Sequence, residues 1–206
     1  MVAQGEGQYL EFKKKANHPE KIIRGLVAFA NAGGGHLLLG VDDDGTLSGT
    51  RNIEGEAFVV TEAVEKFIRP TLPYTLKTMA INAKKGIAIF KVEEGDKKPY
   101  AVVDQGENGQ KNAYIRVNDE SLQASREIRE IIRRRQQTRG IQFQYGEKEK
   151  LLMQHLESHN SINIQEFREV AKLTKYVASR TLVMLVLANV LDVRATGDGD
   201  LYFLKP

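Results

Sequence analysis

The chain has 206 residues, of which 41% are hydrophobic and 28% charged, and it contains no cysteine. These values are typical of a globular protein with one large or two small domains, and they exclude disulfides, thiolate metal sites and cysteine nucleophiles. The net charge of +3 permits nucleic-acid binding, for which clustering of cations on one face matters more than their total. No apolar run approaches the roughly 20 residues that span a bilayer, and no export signal opens the chain, so we expect a cytoplasmic protein.

The first 137 residues alternate strand-like and helix-like patterns, which predicts an α/β or α+β domain. Strands are expected at residues 9–13, 36–41, 46–49, 74–81, 86–92, 100–103 and 113–117. Helices are expected from Pro19 to the glycines after Asn31, over residues 54–68, and over residues 122–137, where the last helix closes the domain.

Residues 138–146 resemble a linker, and beyond them the pattern changes. Helices are expected over residues 147–158, 165–172 and 175–189, with Thr174 as the N-cap of the third, followed by a hairpin of residues 191–195 and 201–204. Three helices and a two-stranded wing within about 60 residues is the order of a winged helix-turn-helix domain, which predicts that module for residues 147–206.

A run of glycines, Gly33-Gly34-Gly35, follows the first helix and precedes a strand. A dinucleotide-binding loop has the opposite order, because it places the free amides of a helix N-terminus against the phosphates. The sequence also lacks a P-loop, so it gives no physical support to ATP binding. We therefore interpret the glycines mainly as a tight helix-to-strand turn, with contact to a ligand as the weaker alternative.

Three stretches together resemble the Schlafen AlbA-like domain. They are Glu6-x4-Glu11-Phe12-Lys13, the segment AFANAGGGHLLLGVDDDG over residues 28–45, and Tyr114-Ile115-Arg116-Val117. The resemblance covers roughly residues 5–135 and implies an α/β domain that binds nucleic acid. Members of this family are described as DNA-binding domains of bacterial regulators, often followed by a winged helix, and the domain is sometimes labelled a divergent AAA-type ATP-binding domain.

Three acidic residues carry a second implication of this resemblance. In animal Schlafen relatives, acidic residues at these positions form a metal-dependent RNA-cutting site, and Glu6, Glu11 and Asp42 match them. Converging carboxylates would suit Mg²⁺ or Mn²⁺, either as a catalytic or as a non-catalytic site. The simpler alternative is that Glu6 lies in a frayed terminus, Glu11 pairs with a lysine and Asp42 belongs to a solvated turn. This alternative is favoured over the metal site.

Clustered cations are the main sequence evidence for phosphate contact. In the first domain the candidates are Lys13, Lys14, Lys15, Arg24 and Arg116, although the strand pattern around Arg116 favours an inward or rim position that orders a loop around Asp119 and Glu120. The closing helix and the residues after it add Arg126, Arg129, Arg133, Arg134, Arg135 and Arg139. The alternative for these arginines is a solvated helix face.

The exposed N-terminal part of the third helix of the predicted winged helix carries the candidates for base contacts, which are Lys175, Tyr176, Ser179 and Arg180. Against DNA contact stands the balance of eight Lys or Arg and eight Asp or Glu from Glu147 to Pro206. A protein-interaction or dimerisation module is the alternative for this half.

The sequence as a whole therefore predicts a DNA-binding transcriptional regulator without catalytic activity or cofactor, acting on double-stranded DNA as a homodimer. The alternative is a metal-dependent nuclease that acts on RNA or single strands through Glu6, Glu11 and Asp42.

Overall fold

The structure is a computed structural model that describes residues 2–104, 109–136 and 144–205. It divides into two compact units, an N-terminal unit of Met1–Gln123 and a C-terminal unit of Ala124–Pro206. The helices are α1 (Pro19–Asn31), α2 (Ile53–Phe67), α3 (Arg126–Arg135), α4 (Glu147–Ser158), α5 (Ile164–Val170) and α6 (Lys175–Leu187). The strands are β1 (Leu10–Lys13), β2 (Gly35–Leu39), β3 (Ile68–Arg69), β4 (Tyr74–Asn82), β5 (Lys85–Val92), β6 (Ala101–Val103), β7 (Lys111–Val117), β8 (Glu120–Gln123), β9 (Leu191–Thr196) and β10 (Gly199–Leu204). Among the described residues, no helix is long and apolar enough to span a bilayer.

The N-terminal unit contains a four-stranded sheet in the order β1-β2-β5-β4. Strand β1 runs parallel to β2, and the other pairs are antiparallel. Because side chains alternate along a strand, Leu37 and Phe90 join the main core with α1 and α2, whereas Phe12, Leu38 and Ile87 form a smaller cluster. The mixed α/β character expected from the sequence is confirmed.

A second sheet of this unit has the order β3-β6-β7-β8, and α1 contacts both β2 and β7. Asn31, at the end of α1, fixes this arrangement: its amide nitrogen donates to the carbonyls of Tyr100 and Tyr114 at 2.9 and 2.8 Å, and its oxygen accepts from the Tyr100 amide at 2.8 Å. A buried side-chain amide whose donors and acceptor are used in this way locks a helix end to a sheet edge.

The glycine run forms the expected helix-to-strand turn. Gly34 has a φ of +82°, and a Cβ there would lie 2.8 Å from the Val92 carbonyl oxygen. A Cβ at Gly35 would lie 2.3 Å from the Phe29 ring. Both positions therefore require glycine for backbone conformation or close packing, which confirms the structural interpretation of the run.

Two stretches of the N-terminal unit differ from the sequence prediction. Residues 46–49 form no strand, because the Asp42–Thr46 turn is closed by hydrogen bonds from the Asp42 amide to the Thr46 carbonyl and from the Gly45 amide to the Asp42 carbonyl. The helix predicted from residue 122 begins only at Arg126, since the Ser125 hydroxyl accepts from the Ile128 amide and caps it. The residues before the cap pair with β7 as β8.

The C-terminal unit has the expected order of three helices and a hairpin, with α3 added in front. The side chains of Asn163 and Thr174 cap α5 and α6, and β9 pairs with β10 in an antiparallel hairpin. Ile131 of α3 belongs to the same core cluster as Leu182 and Val186 of α6. By contacts, α3 thus belongs with the C-terminal helices, although the sequence pattern placed it at the end of the first domain. Residues 137–143, most of the predicted linker, lie outside the described residues, as does Arg139.

Candidate nucleic-acid interface

A buried arginine organises the N-terminal unit at its first turn. The Arg116 side chain on β7 is 1% exposed and donates to Glu11 Oε2 at 2.8 Å and to Ser121 Oγ at 3.0 Å. Its other nitrogens donate to the carbonyls of Gly7 and Leu10, and the guanidinium lies 4.9 Å from the Phe29 ring centre. Arg116 is therefore a brace between β7 and the N-terminal turn. Its side-chain partners are Glu11 and Ser121, and the bond to Ser121 spans the turn that contains Asp119 and Glu120.

Glu11 is placed by the same network. One carboxylate oxygen meets Arg116, and the other lies 2.9 Å from Lys13 Nζ. A Cβ at Gly25 would lie 2.5 Å from Glu11 Oε2, so the glycine in the middle of α1 makes room for this carboxylate. A buried carboxylate that is held by two cations has its charge compensated within the fold.

The other two acidic candidates have separate partners. Glu6 accepts a hydrogen bond from the Phe12 amide at 2.6 Å. Asp42 accepts from the Ser48 hydroxyl and forms an ion pair with Lys14 at 2.9 Å, and these two contacts hold the pKa of Asp42 below its usual value. Within the described ranges, no group of three or more His, Asp or Glu is placed to hold a metal ion. The arrangement of these acids is that of structural hydrogen bonds and ion pairs.

The lysines at the end of β1 and directly after it either pair with these acids or face solvent. Lys13 is half-buried against Glu11, and Lys14 is exposed beside Asp42, whose hydrogen bond and charge raise the pKa of the lysine. Lys15 and Arg24 are exposed, and the Arg24 guanidinium lies 5.6 Å from the centre of the Tyr114 ring. Of the predicted phosphate contacts in this unit, Lys14, Lys15 and Arg24 are therefore exposed, whereas Lys13 is half-buried and Arg116 is buried.

In the C-terminal unit α3, which carries the arginines, packs against α6. Arg134 donates to Met184 Sδ at 3.3 Å, and Glu127, two turns earlier on α3, accepts from the Ser179 hydroxyl at 2.6 Å. Arg133 is 61% exposed and contacts Glu130, and Arg135 is exposed at the end of the helix. The structure thus brings together two sets of candidates that the sequence kept apart.

On α6 itself, Lys175, Tyr176 and Arg180 are exposed, and Arg180 donates to the Tyr176 hydroxyl at 3.5 Å. Ser179 is partly buried because its hydroxyl is used by Glu127. Met184, the contact of Arg134, is one helical turn beyond Arg180. Arg180 of α6 and the C-terminal end of α3 therefore belong to the same unit, joined by the contact of Arg134 with Met184.

The charges of the two units are unequal. The C-terminal unit has fourteen Lys or Arg and ten Asp or Glu, a net charge of +4, whereas the N-terminal unit has sixteen and seventeen, a net charge of −1. Since the sequence from Glu147 onward is balanced, α3 contributes +3 of this excess through five arginines and two glutamates, and Arg139 contributes the remaining +1. Once α3 is grouped with the helices it packs against, the argument against DNA contact by this half no longer holds.

Sequence patterns did not reveal the residues that build these contacts. Asn31, Gly25 and Glu127 were not singled out, because their roles depend on partners that are 14 to 83 positions away. The only local signal was the unfavourable placement of Gly25 inside an amphipathic helix, which indicates a packing reason for the glycine.

Solved structures with low similarity to this chain were found. The N-terminal domain of a RecG-related protein from Nitrosomonas europaea is 21% identical over 57% of this chain and 82% of its own, with a TM-score of 0.39. The DIP2311 protein from Corynebacterium diphtheriae is 16% identical over 96% of this chain, with a TM-score of 0.42, and this chain spans 34% of its length.

The curated sequences contain no protein that matches this chain. The family model for Schlafen, AlbA_2 matches residues 6–125, which is more than half of the sequence and includes Glu11, Gly25, Asn31 and Arg116. The chain belongs to the Schlafen AlbA_2 family.

Proposed function

We propose that this protein binds double-stranded DNA as a transcriptional regulator without catalytic activity, and that the C-terminal unit makes the main contact. Family membership supports nucleic-acid binding in general. The observation that carries the proposal is the packing of α3 against α6, because the five arginines and two glutamates of α3 supply +3 of the C-terminal unit's net charge of +4.

In this proposal the helices α4 to α6 and the hairpin act as a winged helix-turn-helix module. Helix α6 enters the major groove with Lys175, Tyr176 and Arg180, which are exposed on its first two turns. Arg133 and Arg135, which are exposed in the last turn of α3, contact phosphates and supply affinity without sequence preference. Lys14, Lys15 and Arg24 of the N-terminal unit add a weaker contact, because Lys14 is already paired with Asp42.

The regulator acts as a cytoplasmic homodimer in this proposal, because a twofold protein matches the twofold symmetry of paired half-sites on a duplex. No metal is required. The carboxylates of Glu6, Glu11 and Asp42 are each engaged by hydrogen-bond donors or cations, and a Mg²⁺- or Mn²⁺-dependent nuclease would have to displace Lys13 and Lys14 from them.

The test compares two double charge reversals in the intact protein. Arg133→Glu/Arg135→Glu should weaken binding to all duplexes alike and reduce the slope of log K against log salt by about 1 for each lost phosphate contact. Lys14→Glu/Lys15→Glu changes the same number of charges on the N-terminal unit and should have the smaller effect. Arg134 is left in place because it packs on Met184.

The proposal is overturned if the wild-type protein binds no duplex at low salt, or if the lysine pair matters and the arginine pair does not. Cleavage of RNA or single strands that needs Mn²⁺ and is lost in Glu11→Gln would also overturn it, in favour of the nuclease.

A further inference from the structure

The longest described strand lies at an open edge of its sheet. β4 spans Tyr74–Asn82, and within the described residues it pairs only with β5. Every residue of β4 after Tyr74 is exposed, including Leu76, Met79 and Ile81, which are 38%, 55% and 39% exposed. The row of unpaired backbone amides and carbonyls along such an edge is a template for another strand.

The features that normally block an open edge are weak in β4. Its nine residues, YTLKTMAIN, include one charged side chain, Lys77, and no proline, and the pairing with β5 is regular until the irregularity between Ala80 and Asn82. By contrast, β1 at the other edge of this sheet is mostly buried, and β8 at the edge of the second sheet has four residues and begins with Glu120. A long, apolar edge of this kind is an association site.

The sequence of β4 is compatible with pairing to itself. In an antiparallel ladder centred on Thr78, Lys77 lies opposite Met79 of the other copy and Leu76 lies opposite Ala80. Both copies then keep the same face toward the helices, because opposite residues have the same parity. No like charges face each other, and the alkyl stem of Lys77 covers Met79.

Neighbouring symmetric registers are less favourable. A ladder centred on Lys77 places two ammonium groups directly opposite each other. One centred on Leu76 places Met79 opposite Pro73, which has no amide hydrogen to donate. A ladder centred on Met79 avoids both conflicts but pairs only residues 76–82, whereas the ladder centred on Thr78, the midpoint of β4, pairs all nine residues of the strand. Charge, the proline and the length of the ladder together favour the register centred on Thr78.

We propose that β4 is the dimer interface of this protein, where two copies pair β4 with β4 around a twofold axis at Thr78 and extend the four-stranded sheet into one of eight strands. The inference rests on the homodimer of the proposed function and assigns β4 as its interface. It does not depend on which unit contacts DNA, so binding of a duplex and pairing of β4 can fail separately.

The absence of cysteine from the chain makes disulfide crosslinking a clean test. Thr78→Cys introduces one thiol per chain, directly opposite its copy, where Cα atoms of an antiparallel pair are about 4.5–5.5 Å apart, within the roughly 4.4–6.8 Å that a disulfide spans. Mild oxidation should therefore convert most of the protein to a covalent dimer. Thr75→Cys is the matched control, since its copy would lie six residue positions, about 20 Å, along the ladder.

A second variant tests the same interface without oxidation. Thr78→Arg places two cations at the axis and should convert a wild-type dimer to monomer in analytical ultracentrifugation, whereas Gln123→Arg on the edge strand β8 should leave it dimeric. Three results would overturn the proposal: a monomeric wild-type protein, equal crosslinking of the two cysteine variants, or a Thr78→Arg protein that remains dimeric. Retained duplex binding by monomeric Thr78→Arg would show that the two functions are separable.

Discussion

The two units of this protein differ in their net charge and in the burial of their notable arginines. In the N-terminal unit the most informative cation, Arg116, is buried and compensated by Glu11, and the unit has a net charge of −1. In the C-terminal unit Arg133 and Arg135 are exposed, and the unit has a net charge of +4. An arginine in a family motif can therefore maintain the fold, whereas arginines outside any motif remain exposed.

Two carboxylates, the buried Glu11 and the half-buried Asp200, show the same difference. Glu11 is held by the guanidinium of Arg116, whereas Asp200 of the C-terminal unit accepts from the neutral hydroxyl of Ser125. Burial holds the pKa of Asp200 above its usual value; the bond from Ser125 opposes this effect and the charge of Glu127 adds to it. A carboxylate that is partly removed from water and bonded to a neutral hydroxyl thus disfavours its ionised form.

The largest effect is expected from removal of the Arg116 brace. Arg116→Met leaves Glu11 with Lys13 alone and removes the donors to Gly7 and Leu10, so it should lower the free energy of unfolding by about 3–5 kcal/mol. Urea unfolding measures this change. Arg24→Met is the matched control, since the exposed Arg24 has a ring contact worth about 1 kcal/mol or less. Equal losses in the two variants would contradict the role of Arg116 as a brace.

A smaller effect is expected at Arg180, where it would appear as specificity. If Arg180 makes a bidentate base contact, Arg180→Ala should reduce the discrimination between duplexes by about 1–3 kcal/mol. Competition among duplexes selected by the wild-type protein from a random pool measures it, with Lys150→Ala, at an exposed position of α4, as the control. Uniform weakening on all duplexes would show that α6 does not contact base edges, and the unit would then be a dimerisation or partner module.

The smallest effect concerns the pH dependence of stability. Because the pKa of Asp200 is raised in the folded state, the folded protein binds a proton that the unfolded chain has released, at pH values between the unfolded value of 3.8 and the raised value. The contribution of Asp200 to stability therefore increases as the pH falls through the raised pKa, and it is unfavourable at neutral pH. Asp200→Asn should stabilise the C-terminal unit modestly at neutral pH and flatten this dependence.

Hydrogen exchange of amides in the C-terminal unit, followed from neutral to acidic pH, measures the effect. Asp198→Asn, at an exposed position of the hairpin turn, should change neither the level nor the slope. A destabilised Asp200→Asn protein at neutral pH would show that the ionised carboxylate is required by its Ser125 hydrogen bond.

Local patterns along the chain predicted most of the helices and strands and the mixed α/β class. Helix α4 begins and ends where the pattern predicts, and the glycine turn was correctly interpreted, because hydrophobic periodicity, caps and positive-φ glycines are local properties. The family motifs were also local, since they lie in continuous stretches. Two short strands were not predicted because their local patterns are weak: β3 has two residues, and β8 lies between the stronger patterns of β7 and α3.

Which charges are compensated and which remain exposed depends on contacts between residues that are far apart in the sequence. Glu11 meets Arg116 across 105 positions, and Glu127 meets Ser179 across 52, so no window along the chain contains both partners. The assignment of α3 to the C-terminal helices likewise depends on Ile131 packing with Leu182 and Val186. Burial and ion pairing depend on residues that folding brings together. For this reason the sequence could identify the candidate residues of the interface, but not which of them are exposed and unpaired by other side chains.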